Sequence, residues 1–377
     1  MRLAFGDFKH GKVNIAGGQL HYRVGGAGEP VVLLHGWPQH SLQWHSVAPR
    51  LAERYQVVVP DLPGCGGSSI PRAGYDKRTI AAKVRELVRQ LNLGPVKLVG
   101  YDHGAGVAYN YACCAYVGDV SHLAIVEYVL PGCGYEKAMM PSPDWHIGSN
   151  WQLAFFTVPE VAEFAFRGRE RELLTWFFWH GSCNPAAVIP AHLDEYVDQI
   201  AKPGALRAGI EYYAAVWQDI EINKENMQRK LAMPVLGIGG RCNAGEMVGK
   251  ALAIVAERVG TAVVEGAGHW VSDELHPVRR PTTSSKNSTL RSARRSKPRR
   301  GPASCSAMAT FPTTGTRPRP HLCFLPPAFN PACPAGRAGG EQQMIVFPPA
   351  FEAAPRPQPS AEPGAAILWQ VGLHEDA

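Results

Sequence analysis

The sequence is short of charge, of long apolar runs, and of the cysteine and glycine patterns that announce cofactors. Only 19% of its 377 residues are Asp, Glu, Lys or Arg, and no apolar run approaches the roughly 20 residues that cross a bilayer. Residues 1–12 lack the apolar core of a secretory signal. The nine cysteines contain no Cys-x-x-Cys pair, which sets aside common zinc and dithiol arrangements. Cys113 and Cys114 are expected as small buried thiols. A cytoplasmic protein without a membrane partner is the expectation. No Gly-Lys-Ser/Thr closes a phosphate loop, and the glycine cluster at 25–28 precedes its strand where a dinucleotide fingerprint must follow one. No His-Glu-x-x-His occurs, and His35, His40 and His45, five residues apart, do not share a helical face. The activity is therefore expected to need neither cofactor nor metal.

Proline and basic charge are unevenly spread. Residues 279–377 hold 16 of the 32 prolines and carry 13 Lys and Arg against 5 Asp and Glu, +8 of a total of +6, which leaves −2 for residues 1–278. The basic balance is thus a property of the tail, and the remainder offers nothing to attract nucleic acid. About 280 residues is ample for one α/β domain with an insertion.

Along the chain, alternation through Gly17 and Gly18 predicts a hairpin over 13–24. The continuous apolar runs at 30–34 and 57–59 read as strands buried on both faces of a parallel sheet. A helical stretch at 41–55 separates them. Ile80, Val84, Leu87, Val88 and Leu91 recur at helical spacing and predict a helix over 79–93. Further strands are expected at 96–100, 123–127, 234–238 and 262–264, with helices at 107–114 and 246–259. Residues 131–231 interrupt the alternation with aromatics and helix formers. The organisation expected is a mostly parallel α/β sheet flanked by helices, its core in two parts (1–130 and 232–278), with an inserted helical cap (131–231) and a tail (279–377).

One stretch carries the chemistry. At 96–106 a short apolar run ends in Gly100-x-Asp102-x-Gly104, followed by helix-compatible residues. This suits a sharp strand-to-helix turn that presents its central side chain. A carboxylate there can displace at a saturated carbon and leave an ester on the enzyme. Alone, the pattern also fits an ordinary turn with Asp102 as helix N-cap. Glu127, at the end of the next strand, and His269, in Gly266-x-Gly268-His269, complete the order nucleophile, acid, base. All three follow carboxyl ends of strands, where open α/β sheets place their sites.

With His35-Gly36-Trp37-Pro38, Asp61-Leu62-Pro63-Gly64-x-Gly66-x-Ser68, the Asp102 turn and Gly268-His269-Trp270, residues 1–278 resemble an α/β hydrolase of the epoxide hydrolase and haloalkane dehalogenase group. The resemblance implies that Asp102 opens the substrate, that His269 with Glu127 activates the water that hydrolyses the ester, and that the backbone N–H groups of Trp37 and His103 form the oxyanion hole. Glu211-Tyr212-Tyr213 is similar to the ring-opening segment of bacterial epoxide hydrolases. It implies Tyr213 as proton donor, with Tyr212, Trp151, Gln152 and His146 as substrate contacts. Gln152 stands where such enzymes carry a second His or Tyr donor. His103 and Gly106 stand where fluoroacetate dehalogenases carry arginines, and His103 also replaces the halide-binding Trp of many haloalkane dehalogenases, leaving Trp37 one indole N–H to offer. Epoxide hydrolysis of a small apolar or amphipathic molecule by a monomer or homodimer is the leading expectation. Haloalkane dehalogenation and a catalytically inactive ligand-binding protein are the alternatives.

Similar enzymes close with a further helix after Gly-His-Trp. Here residues 273–277 approach it, and then sequence rich in Ser, Arg and Pro follows. A shifted reading frame that replaced the helix is preferred to a disordered basic extension.

Overall fold

In a computed structural model of the chain, residues 3–114, 118–141, 143 and 150–274 are described, and all fall in one compact unit. His146 and the tail at 279–377 lie outside the described residues. Strands β1 (Lys9–Ile15) and β2 (Gly18–Gly25) form the expected hairpin, with Val13 opposite Leu20. In β3 (Pro30–Leu34), Val31 and Leu33 pack to one side and Val32 and Leu34 to the other, all fully buried. In β4 (Gln56–Pro60) Val57 and Val59 face one side and Val58 the other. Each such side chain contributes roughly 1.5–3 kcal/mol by leaving water. With β5 (Val96–Tyr101), β6 (Val120–Val126), β7 (Val235–Gly240) and β8 (Val259–Val264), the sheet runs β1-β2-β4-β3-β5-β6-β7-β8. Pairing is antiparallel as far as β2–β4 and parallel from there to β8.

The expected helix over 41–55 is not continuous. It resolves into a 3-10 turn, Ser41–Trp44, and the short α1 (Ala48–Leu51), because Pro49 has no N–H to carry a helix through from residue 45. Helix α2 (Lys77–Gln90) starts where Asp76 accepts a bond from the Thr79 N–H at 2.9 Å, and it buries Ile80, Ala81, Val84, Leu87 and Val88. Helix α3 (His103–Cys113) begins immediately after Asp102.

Between β6 and β7 lie α4 (Tyr135–Met139), α5 (Trp151–Phe155), α6 (Pro159–Phe166), α7 (Glu170–Gly181), α8 (Pro190–Ile200), α9 (Ala205–Ala214) and α10 (Val216–Asn226), with no strand among the described residues. Their shared core of Phe156, Leu174, Phe177, Phe178, Tyr196 and Ile210 packs onto Trp37 and Trp270 from loops of the sheet. Helix α11 (Met247–Val255) follows β7, and α12 (Val271–Glu274) follows β8.

Among the links that join the inserted helices to the sheet layer are a disulfide and a buried ion pair. Cys183, just beyond α7, is disulfide-bonded to Cys242, beyond β7, with Cα atoms 5.8 Å apart; this departs from the expectation of thiols in a reducing compartment. Lys77 Nζ, 1% exposed, lies 2.8 Å from the Asp219 carboxylate of α10 and donates to the Tyr212 carbonyl at 2.7 Å. The Lys77 N–H donates to Asp219 as well. Removing one member strands a buried charge, so Lys77→Met should destabilise the fold by about 3–5 kcal/mol. Urea midpoints should show most of that loss recovered in the Lys77→Met/Asp219→Leu double variant; equal destabilisation in single and double variants would count against the pair.

Candidate active site

The turn between β5 and α3 is too tight for ordinary residues. A Cβ on Gly100 would sit 2.4 Å from the Gly104 carbonyl oxygen, and one on Gly104 would sit 2.3 Å from that of His35. Asp102 takes φ 50°, a conformation costing of order 1–3 kcal/mol for a residue with a side chain. Although Asp102 occupies the N-cap position of α3, its side chain makes no cap bond. Its Oδ1 instead accepts the Trp37 N–H at 3.1 Å.

Glu127, the first residue beyond β6, repeats the device at φ 52°. It is completely buried, and its Oε1 accepts the Gly240 N–H at 2.5 Å. Oε2 accepts Asn243 Nδ2 at 2.5 Å and lies 3.1 Å from His269 Nδ1. The opposite nitrogen, His269 Nε2, stands 3.8 Å from Asp102 Oδ2. The His269 N–H bonds the Gly181 carbonyl at the end of α7 at 2.6 Å, which fixes the loop after β8. Asp102 and His269 are 13% and 19% exposed, respectively. The three residues thus form one line, carboxylate to imidazole to carboxylate.

Electrostatics separates their roles. Burial raises the Asp102 carboxyl above its ordinary value, opposed by His269, the N–H groups of His103 and Trp37, and Lys77. Burial pulls His269 down, yet Glu127, Asp102 and Glu274 together carry it above 6.5. Burial drives the His103 imidazole well below its usual range, with Lys77 and His269 adding to the effect. Tyr213 is 4% exposed, and its ring lies 4.3 Å from that of His103 and 5.5 Å from that of Trp37. Burial and then the Asp102 charge hold its hydroxyl well above 10, so it keeps its proton at neutral pH.

The other expected contacts are distributed differently. The Tyr212 hydroxyl donates to the Pro63 carbonyl at 2.8 Å, so a substrate-contacting role for it is replaced by a structural one. The Trp37 indole packs against Gly209 of α9, where a Cβ would meet Nε1. Gln152 Oε1 is buried without a partner. Trp151 lines an open pocket of about 350 Å³ with Phe166, Arg169, Glu172, Leu173 and Trp176, and neither Asp102, His269 nor Tyr213 borders it. His35 donates to or accepts from its own neighbours, Gly36 O at 3.0 Å and the Leu62 N–H at 2.8 Å. Sequence reasoning missed Asn243 and the Gly240 N–H. Their position at the carboxyl end of β7 and just beyond it, at the same sheet edge as the other loops, was the only signal.

A family model described as alpha/beta hydrolase fold matches residues 29–168. The soluble epoxide hydrolase of Corynebacterium sp. (strain C12) is 33% identical over 277 residues, spanning 71% of this chain and 93% of that protein. A fluoroacetate dehalogenase of Burkholderia sp. is 29% identical over 244 residues, spanning 63% of this chain and 79% of that protein. The crystal structure of Cfl2 from Burkholderia cenocepacia aligns with a TM-score of 0.68 at 35% identity, over 71% of this chain and 91% of that one.

The raised His269 value gives a direct test. Its neutral form is populated only above its pKa, and the Glu127 charge is what holds that pKa up. In Glu127→Gln the imidazole should titrate at lower pH than in the unaltered protein, by NMR of the ring; an unchanged or higher midpoint would break the assignment.

Proposed function

This chain belongs to the alpha/beta hydrolase fold family, and we propose that within it the chain is an epoxide hydrolase that works through an ester on Asp102. One Asp102 oxygen attacks an epoxide carbon, the carbon–oxygen bond of the ring breaks, and Tyr213 gives its proton to the departing oxygen. His269, its Nδ1 proton directed at Glu127, then takes a proton from water at Nε2. The resulting hydroxide adds to the Asp102 carbonyl carbon. The N–H groups of Trp37 and His103 face the oxygen that becomes anionic, where donors of this kind are worth about 10²–10³ in rate. Collapse releases the alcohol and restores the carboxylate, while the imidazolium proton returns through solvent to Tyr213. One water and one epoxide give one vicinal diol, with no cofactor.

The observation that carries this reading is Tyr213. Opening an epoxide produces an alkoxide that needs a proton, and a phenol kept neutral beside the nucleophile supplies one. The Corynebacterium relative, a soluble epoxide hydrolase, supports the same reaction. The Burkholderia relative favours dehalogenation by the same ester as the second reading, although His103 and Gly106 offer no guanidinium to grip a carboxylate substrate. Four of the six described cysteines, Cys65, Cys113, Cys114 and Cys133, are free thiols, which suits a cytoplasmic setting; the Cys183–Cys242 pair is the exception to it.

Incubation with a small epoxide and, separately, a chloroalkane should yield diol from the first and little halide from the second. In Tyr213→Phe, epoxide turnover should fall about 10²–10⁴-fold, as expected for loss of a general acid. In His269→Gln, mass spectrometry of the epoxide-treated protein should find the substrate's mass added on the peptide containing Asp102. Halide release without diol would select the dehalogenase, and no adduct with no product would leave a ligand-binding protein.

A further inference from the structure

Asn243 stands between the acid and the base of the catalytic line. Its Nδ2 lies 2.5 Å from Glu127 Oε2 and 3.3 Å from His269 Nδ1, and that ring nitrogen lies 3.1 Å from the same Glu127 oxygen. The residue follows the end of β7 by three positions, where its backbone N–H bonds the Gly240 carbonyl at 3.0 Å. The Gly240 N–H in turn bonds the other Glu127 oxygen, Oε1, at 2.5 Å. We propose that Asn243 is a positioning residue for the hydrolysis step: its amide pins the Glu127 oxygen that faces His269 and takes a share of the negative charge that the imidazole meets.

The chemistry of the contact fixes the orientation of the amide. An ionised carboxylate only accepts, so the atom 2.5 Å from Glu127 Oε2 is the donor Nδ2 and not the amide oxygen. Glu127 is completely buried, and among the described residues its carboxylate meets the Gly240 N–H, the Asn243 amide and His269. The turn after β7 thus supplies one donor to each oxygen, which holds the carboxylate facing the ring. On Oε2 two donors share one charge: the amide stabilises the carboxylate whether or not His269 carries a second proton, so an imidazolium gains less from it. The positive end of the amide dipole, 3.3 Å from His269 Nδ1, also opposes that imidazolium directly. The other groups that face His269 act in the opposite direction or not at all. Asp102, just before α3, and Glu274, on α12, favour the charged ring together with Glu127. His103 is kept neutral by burial, and Tyr101, its ring 5.5 Å from that of His269, keeps its proton. A base that takes a proton from water must first be neutral, and Asn243 is a contact that restrains three carboxylates from keeping it charged. Asn243 is itself exposed, so replacing it removes no core packing.

The step that Asn243 serves rests on the ester mechanism proposed above, whereas the protonation of His269 can be read without any substrate. The full-length protein and its Asn243→Leu and Asn243→Ala variants are titrated by NMR of the His269 ring, assigned by its loss in His269→Gln. The midpoint should move to higher pH in both variants. Release of diol from a small epoxide in a single turnover should follow it: below the midpoint the variants should be slower by about 3–10-fold, the part of a charge-assisted hydrogen bond that reaches the base, and most of that loss should be recovered at higher pH. A merely structural role would let Glu127 swing away, bring the midpoint down and lower turnover at every pH. In a Glu127→Gln background, adding Asn243→Leu should move the midpoint upward by less than it does in the parent. A midpoint at or below the parent's in both single variants overturns the proposal, and so does an equal upward shift with and without the Glu127 charge. A parent that turns over no epoxide removes the epoxide reading alone, and the ring titration still decides the role of Asn243.

Discussion

The positive φ at Asp102 is the constraint on which the rest of the site depends. Left to itself the residue would relax into a normal helix N-cap, with its carboxylate turned down onto the first amides of α3. It is kept out of that well because its own N–H is spent on the Val126 carbonyl at 3.0 Å and because the Gly100–Gly104 approach leaves α3 no room to withdraw. Those bonds hold a strain of order 1–3 kcal/mol. Their effect is to raise the carboxylate over the sheet edge toward the Trp37 N–H. Glu127 does the same one strand away, with its N–H spent on the Ile238 carbonyl at 2.9 Å. Two adjacent parallel strands therefore end in the same strained geometry and deliver two carboxylates to one edge, with an imidazole between them.

Burial then makes two chemically alike carboxylates unlike in use. Glu127 is wholly enclosed and spends both oxygens on N–H donors and His269, so it is committed to holding the ring. Asp102 keeps Oδ2 facing His269 at 3.8 Å, a gap that leaves it free to bond elsewhere. Burial raises its carboxyl, while the imidazole, the neighbouring N–H groups and Lys77 oppose that rise. The same desolvation has opposite consequences on the neighbouring groups: it keeps Tyr213 protonated and His103 neutral. Each unit of such a shift corresponds to about 1.4 kcal/mol between protonation states, so the surroundings set how readily each of these groups gains or loses a proton.

Much of this was legible in the chain because the controlling features are local. Buried strands declare themselves as unbroken aliphatic runs, α2 by its 3.6-residue spacing, and the Asp102 turn by glycines two positions to either side. The failures are equally physical. Pro49 broke a helix that apolar content alone would have continued. The Tyr212 hydroxyl was taken by a carbonyl 149 positions away, and no periodicity foretells which of two adjacent buried tyrosines finds such a partner. Asn243 meets Glu127 only through the stacking of β6 and β7 in the sheet, and Cys183 with Cys242 and His45 with His192 meet only through the packing of the inserted helices. Contacts across such distances leave no spacing in the sequence to read.

The disulfide shows how far the catalytic imidazole depends on the inserted helices. His269 is placed by its N–H bond to Gly181, two residues before Cys183, and Glu127 is held by Asn243, one residue after Cys242. The Cys183–Cys242 bond therefore joins the strand of chain that positions the base to the strand that positions its acid. The Cys242 N–H bonds the Ala267 carbonyl at 3.0 Å, which ties the histidine loop into the same knot. A Cβ on Gly268 would fall 2.3 Å from the Gly181 carbonyl oxygen, so these loops are already in closest contact. Asp102 is positioned by the sheet edge, whereas the loop that carries His269 is tied to the helical layer as well, so the alignment of the imidazole depends on both layers.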